Sequence, residues 1–208
     1  MNIVFFGSPI YSSRVLSYLI SSKHSVKAVV TQDVKKDKKR KVLKTPVGLF
    51  AEENNLHTLY PTNLCSPDFI AELDSLNADI FLIYAYGKIL PKDIINLPKF
   101  GVINLHCSLL PRWRGAAPIQ RALLNRDNLT GITFFKIDEN LDTGNMLASY
   151  EYSIKDDDDS LSLQEKLTDL AIANIENILD YNLNNKTLTP QKNSLATYAK
   201  SVDRKSVV

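Results

Sequence analysis

The run IFLIYA at residues 80–85 is apolar at every position, and a strand without a polar face must be covered on both sides. That requirement places it inside a sheet with helices above and below. The rest of the chain supplies those layers. Residues 2–6 form a first apolar run, Gly7, Ser8 and Pro9 turn the chain, and Tyr11, Val15, Tyr18 and Leu19 then recur at helical spacing. Residues 26–31 read as a second strand, 46–54 as a helix, 57–60 as a short strand, 67–76 as a helix, 102–105 as a strand and 116–124 as a helix. Two later strands are expected at 130–137 and 147–154. A helix from about 161 to 181 follows, with Ser160 as its cap and Leu163, Leu167, Leu170, Ala171 and Ile178 as its apolar face. The alternation implies an α/β fold, a mostly parallel sheet with helices on both faces.

Ligands of such sheets sit outside the carboxyl ends of the strands, which directs attention to Gly7, to residues 84–91 and to His106 onward. The first strand runs into GSPIYSS, not a G-x-G-x-x-G turn, so the close backbone approach to a pyrophosphate is missing and a dinucleotide enzyme is not expected. Walker A, H-E-x-x-H and G-x-S-x-G sequences are also absent. Two cysteines, Cys65 and Cys107, are too few for a disulfide framework and have no zinc-ligand spacing. The start of the chain has no basic region ahead of its apolar run, and no apolar stretch approaches the roughly 18 residues of a membrane helix. A cytoplasmic, unprocessed protein with no membrane partner is expected.

Charge is unevenly spread. Residues 35–44 (KKDKKRKVLK) carry seven Lys/Arg and one Asp, a local +6 in a chain of net +2. A solvated loop and a nucleic-acid contact both fit such a run. The four aspartates at 156–159 read as solvated charge near a helix start, where a negative charge is favourable.

The segment GVINLHCSLLPRWRGAAPIQ, residues 101–120, holds the chemistry. Residues two apart on a strand face the same way, so Asn104 and His106 are displayed together at a strand end while Leu105 and Cys107 face away. Asn offers a neutral amide donor, and His donates a hydrogen bond or a proton near neutral pH. The pair suits an oxyanion developing on a carbonyl. Local backbone bonding would equally explain two polar residues there. Cys107, facing away from His106, is not placed to be an activated nucleophile. His24 and His57 have no partner at ligand spacing. A working histidine needs a carboxylate to orient it, and the polar loop IDENLDTGNML offers Asp142, Asp138 and Glu139, among which spacing does not choose.

NLHCSLLPRWRGAAPIQ together with IDENLDTGNML strongly resembles the formyltransferase superfamily, whose members use 10-formyltetrahydrofolate. RWRGAAPIQ, the opening FFGSP, AYGKILP at 85–91 and ATYAK at 196–200 resemble its methionyl-tRNA branch. The resemblance implies a Rossmann-like formyltransferase fold, Asn104, His106 and Asp142 as catalytic residues, and no metal. It implies folate contacts from Tyr86, Gly87, Lys88, Ile89 and Leu90, from Ser108, Leu109, Leu110 and Pro111, and from Asp138, Glu139, Asn140 and Leu141. Methionyl-initiator tRNA is the implied partner of a monomeric enzyme, contacted by Lys38, Lys39, Arg40 and Lys41. The basic segment departs from the family pattern in having no Gly or Pro and more lysine. Residues 1–190 are expected to be the catalytic domain and 191–208 the start of a linker, the family's C-terminal β-barrel being absent from this chain. Sugar-nucleotide or glycinamide-ribonucleotide formyl transfer, and a non-catalytic folate- or RNA-binding module, are the rival readings.

Overall fold

The computed structural model describes residues 1–32, 35–36, 42–182 and 188–202. Lys38, Lys39, Arg40 and Lys41, expected as tRNA contacts, lie outside the described residues. The chain divides into two compact units, Met1–Ile103 and Asn104–Val208.

In the first unit, β1 (Asn2–Gly7) is flanked by parallel partners on both edges, β2 (Ser25–Val30) and β6 (Ile80–Tyr84), and β2 pairs in turn with β5 (Thr58–Leu59). The composition is that of strands covered on both faces: Ile3, Val4, Phe5 and Phe6 are fully buried, and the apolar run of β6 is buried throughout. Helices α1 (Ile10–Ser21), α2 (Pro46–Glu53), α3 (Pro67–Ser75) and the short α4 (Lys92–Ile95) connect the strands. The start of α2 combines Pro46 in the first turn with Thr45 as cap, whose hydroxyl accepts from the Gly48 amide at 3.0 Å. The turn of α4 carries no sequence periodicity long enough to reveal it. The basic run, expected as a loop, has paired flanks: β3 (Lys35–Lys36) and β4 (Val42–Leu43) form a two-stranded antiparallel sheet.

The second unit takes up the chain within β7 (Val102–His106) and continues through α5 (Pro118–Leu124), β8 (Leu129–Lys136), β9 (Met146–Ser153) and α6 (Ser160–Asn177). Strands β8 and β9 pair antiparallel, with Gly131 opposite Glu151 and Phe134 opposite Ala148. Burial separates them: β8 is buried from Thr130 to Phe135, whereas β9 alternates along its length. The strand order of the seven-stranded sheet is β5-β2-β1-β6-β7-β8-β9, and its one antiparallel pair among the described registers is at the β9 edge.

Two details of α6 differ from expectation. Its cap is Asp159, not Ser160: the Asp159 carboxylate accepts from the amides of Leu161 and Ser162 at 2.9 and 2.8 Å, and the Ser162 hydroxyl accepts from the Asp159 amide at 3.1 Å. The reciprocal pairing requires the polar residue one position earlier than the apolar pattern suggests. The α-helical segment also ends at Asn177, and the expected continuation through residue 181 is a wider turn of helix, Ile178–Asn182. Of the expected apolar face, Leu163, Leu167, Ala171 and Ile178 are fully buried and Leu170 is half-buried, and each buried Leu or Ile contributes about 1.5–3 kcal/mol.

Candidate active site

At the end of β7, His106 is 6% exposed and sits edge-on to Phe135, with ring centroids 6.3 Å apart. Its Nε2 lies 2.8 Å from the carbonyl oxygen of Trp113. A carbonyl only accepts, so in this pairing Nε2 carries the proton. Nδ1 faces the Asp142 carboxylate, 3.7 Å from Oδ2, an ion-pair distance when the ring holds its second proton. Two residues back along the strand, Asn104 is half-buried, and its side-chain amide makes no hydrogen bond among the described residues. A neutral donor is thus free beside a histidine held on both sides.

Asp142 is fixed by more than the histidine. Its Oδ2 accepts from the Gly115 amide at 2.7 Å, and its backbone adopts φ 52°, a left-handed conformation that costs a non-glycine residue about 1–2 kcal/mol. Trp113 is left-handed too, at φ 61°. Both of the residues that hold His106 are therefore in a strained backbone state, which persists only where surrounding bonds over-determine it. The turn after Asp142 depends on Gly144, where a Cβ would collide with the Lys136 carbonyl oxygen. Of the three carboxylates that the sequence offered, Asp142 is the one beside His106. Asp138 instead accepts from the Thr143 hydroxyl at 2.7 Å and the Asn140 amide at 3.0 Å, and Glu139, Asn140 and Leu141 are exposed.

The segment between His106 and Trp113 is tied down by Thr133 of β8. Its hydroxyl donates to the Ser108 carbonyl at 2.7 Å and accepts from the Leu110 amide at 3.1 Å. Ser108 is buried and donates to the Arg112 carbonyl at 2.6 Å, Leu109 and Pro111 are half-buried, Leu110 is buried, and the Leu110–Pro111 bond is cis. Arg112 and Trp113 stack at 4.5 Å and both bond Asp127: Arg112 at 2.9 and 2.6 Å, the indole Nε1 at 2.7 Å. Burial pushes the Asp127 carboxyl up, but the donations of Arg112, Trp113 and Asn125 outweigh it and hold the carboxyl below its ordinary range.

In the first unit, the carboxyl ends of β1, β2 and β6 carry a polar network. The Tyr86 carbonyl accepts from Gln32 Nε2 at 2.8 Å and from the Ser8 hydroxyl at 3.3 Å. Tyr86 itself is 1% exposed, and its hydroxyl has no hydrogen-bond partner, an orphaned buried polar atom that a ligand could satisfy. Burial raises the pKa of that phenol, keeping it a neutral donor. Gly87 is left-handed at φ 78°, Lys88 Nζ donates to the Pro61 carbonyl at 3.0 Å, Ile89 is 81% exposed and Leu90 is buried. The other two histidines are engaged: His24 Nδ1 lies 3.1 Å from the chain's terminal amine and His57 Nε2 lies 3.3 Å from Glu72.

Sequence reasoning did not find the Trp113 carbonyl, the Gly115 amide or Thr133. The first two are backbone groups with no side-chain signature. Thr133, a polar residue within the apolar run of β8, could have been noticed.

The family model for formyl transferase matches residues 1–178 of this chain. The methionyl-tRNA formyltransferase of Prochlorococcus marinus strain MIT 9312 is 43% identical over 98% of this chain, and the chain spans about 65% of that relative's length. The enzyme of the same name from Caldicellulosiruptor saccharolyticus is 41% identical over 99% of the chain and 67% of the relative. Among solved structures, phosphoribosylglycinamide formyltransferase from Bacillus halodurans superposes with a TM-score of 0.72 at 19% identity, covering 87% of this chain and 96% of its own. An N-formyltransferase from Helicobacter canadensis, in complex with folinic acid and dTDP-3-aminofucose, superposes with a TM-score of 0.73 at 20% identity over 99% of this chain and 72% of its own. At these identities the two structures share the fold with this chain. Among the described residues no helix is long and apolar enough to cross a membrane.

Proposed function

This chain belongs to the formyl transferase family, and from that premise we infer that it moves a formyl group from 10-formyltetrahydrofolate to the α-amino group of methionine esterified to initiator tRNA. The amine attacks the formyl carbon, a tetrahedral oxyanion forms, the bond to the folate nitrogen breaks, and the proton lost by the amine passes to that nitrogen. Nothing covalent to the protein is needed. Asn104 donates to the oxyanion through its free amide. His106 turns its Nε2 proton from the Trp113 carbonyl to the same oxygen, exchanging a neutral acceptor for a charged one. Asp142 orients His106 and stabilises its charged form.

The observation that carries this reading is the buried His106 facing the half-buried Asp142 carboxylate, beside an Asn104 amide with no hydrogen bond among the described residues. The acceptor is supported by the 41 to 43% identity to relatives named for methionyl-tRNA. The proposed folate contacts are Tyr86, Gly87, Lys88, Ile89 and Leu90, Ser108 to Pro111, and Asp138 to Leu141. The basic stretch at 35–44, with its local +6, is proposed to meet tRNA phosphates.

Incubating the purified chain with 10-formyltetrahydrofolate and methionyl-tRNA tests the proposal. Formyl-methionyl-tRNA should accumulate in step with loss of formyl from the folate. Formylation of glycinamide ribonucleotide or an amino-sugar nucleotide in its place, or folate binding without turnover of any of the three, would overturn it.

A further inference from the structure

Arg114 heads the fully buried side chains by size, at 2% exposed, and a buried cation is tolerated only where its N–H groups are satisfied. Its described partners are amide oxygens. Nε and Nη2 both donate to Gln191 Oε1, at 3.0 and 2.8 Å, and Nη2 also donates to Asn193 Oδ1 at 2.9 Å. The backbone beside it is bound as well: its amide donates to the Thr197 carbonyl at 2.9 Å and its carbonyl accepts from the Ala199 amide at 2.7 Å. A late segment of the chain is thereby strapped along residues 113–115.

The other end of the Gln191 amide makes two further bonds. Its Nε2 donates to the carbonyls of Asp142, at 2.9 Å, and Gly144, at 2.8 Å. These bonds close the left-handed turn that aims the Asp142 carboxylate at His106. One amide therefore joins the guanidinium of Arg114, whose neighbours Trp113 and Gly115 supply the His106 acceptor and the Asp142 donor, to the backbone of Asp142 itself. Both groups that hold His106 answer to it. An apolar side chain of the same size would fill the space but offer neither the donors nor the acceptor.

We propose that Gln191 is a positioning residue of the site: anchored on Arg114, it fixes the turn at Asp142–Gly144 and so the placement of the Asp142 carboxylate against His106. Its value for turnover rests on the formyl-transfer reading above, whereas its effect on the turn does not. The bond between the Gly115 amide and Asp142 Oδ2 gives that effect an independent reporter, since this amide is protected from hydrogen exchange only while the carboxylate stays in place.

Gln191→Glu is the discriminating variant. It keeps an oxygen acceptor for Arg114 and the side-chain size, but it sets a carboxylate oxygen against two carbonyls that now receive two N–H donations. Gln191→Met adds no charge and removes the donors at similar volume; it also removes one acceptor of Arg114, leaving Asn193 Oδ1, so its folded state is checked by the β1 amides. In either variant, kcat for formyl transfer should fall ~10-fold or more while KM for 10-formyltetrahydrofolate stays within about twofold, because a displaced catalytic group impairs the reacting geometry more than ground-state binding. Protection of the Gly115 amide should fall ~10-fold or more, while the amides of β1 keep theirs. Folded variants with Gly115 protection and kcat both near the parent's would overturn the proposal, and so would lost protection with unchanged kcat. A parent chain without formyl transfer, in which both variants still release Gly115, would refute the activity assigned above and leave the positioning of the turn standing.

Discussion

Two acidic stretches of the second unit, residues 138–142 and 156–159, are alike in composition and opposite in use. In the later one, the Asp158 side chain is fully buried and engaged by the Lys155 amide at 2.8 Å, the Ser162 hydroxyl at 2.8 Å and the Lys166 ammonium at 2.5 Å, while Asp159 caps α6. In the earlier one, Asp138 braces its own loop and Asp142 presents an oxygen to a histidine at the end of β7. The Asp158 and Asp159 bonds that the structure describes stay within ten residues. Those of Asp142 reach back to Gly115 and forward to Gln191, 49 positions away. Negative charge near a helix start stabilises what is already local, whereas a carboxylate held by distant segments is fixed relative to another group, which is what chemistry requires.

The largest expected contrast is in turnover. His106→Ala and Asn104→Ala should each lower kcat for formyl transfer ~10²-fold or more, while Asp159→Ala leaves it within about twofold. Steady-state kinetics of the three variants would blur the comparison if Asp159→Ala were as damaging as the other two. In stability the order reverses for Asp159. Removing this cap frees two amides of α6 and should cost about 0.5–2 kcal/mol by denaturant unfolding, and an unchanged midpoint would show the capping box to be dispensable.

A third contrast is a pH dependence at Asp158. Burial raises this carboxyl, but the Lys166, Lys155 and Ser162 bonds outweigh it and bring it to about 2, against an ordinary 3.8. A folded-state value below the unfolded one contributes stability that is fully present above about pH 4 and disappears as the pH falls toward 2. Melting temperatures of the parent and of Asp158→Asn should therefore differ near neutrality and converge near pH 2. A difference constant across that range would assign the effect to hydrogen bonding alone.

What the sequence discloses follows the range of the interaction. Period-two display placed Asn104 and His106 on one face, and the unbroken apolar run at 80–85 placed β6 between partners, because both depend on neighbours within a few residues. Asp142 could not be told from Asp138 and Glu139 by spacing, since what distinguishes it is a left-handed turn, the Gly115 amide and the Gln191 side chain. Only the family resemblance pointed to it. The cap of α6 lies one residue before the expected Ser160, because both residues suit a helix start and the reciprocal bond with Ser162 decides for Asp159. Nothing within RWRG marks Arg114 as buried, and only the strap at residues 191–199 reveals that it is.

The role proposed for Asp142 needs its negative charge against His106, not only its shape. Asp142→Asn separates the two, since an amide oxygen still accepts from Gly115 and the side-chain volume is kept. With 10-formyltetrahydrofolate and methionyl-tRNA as substrates, kcat should fall ~10²-fold or more while KM for the folate stays within about twofold and the Gly115 amide remains protected from exchange. A kcat within about threefold of the parent's, with Gly115 equally protected, would contradict it.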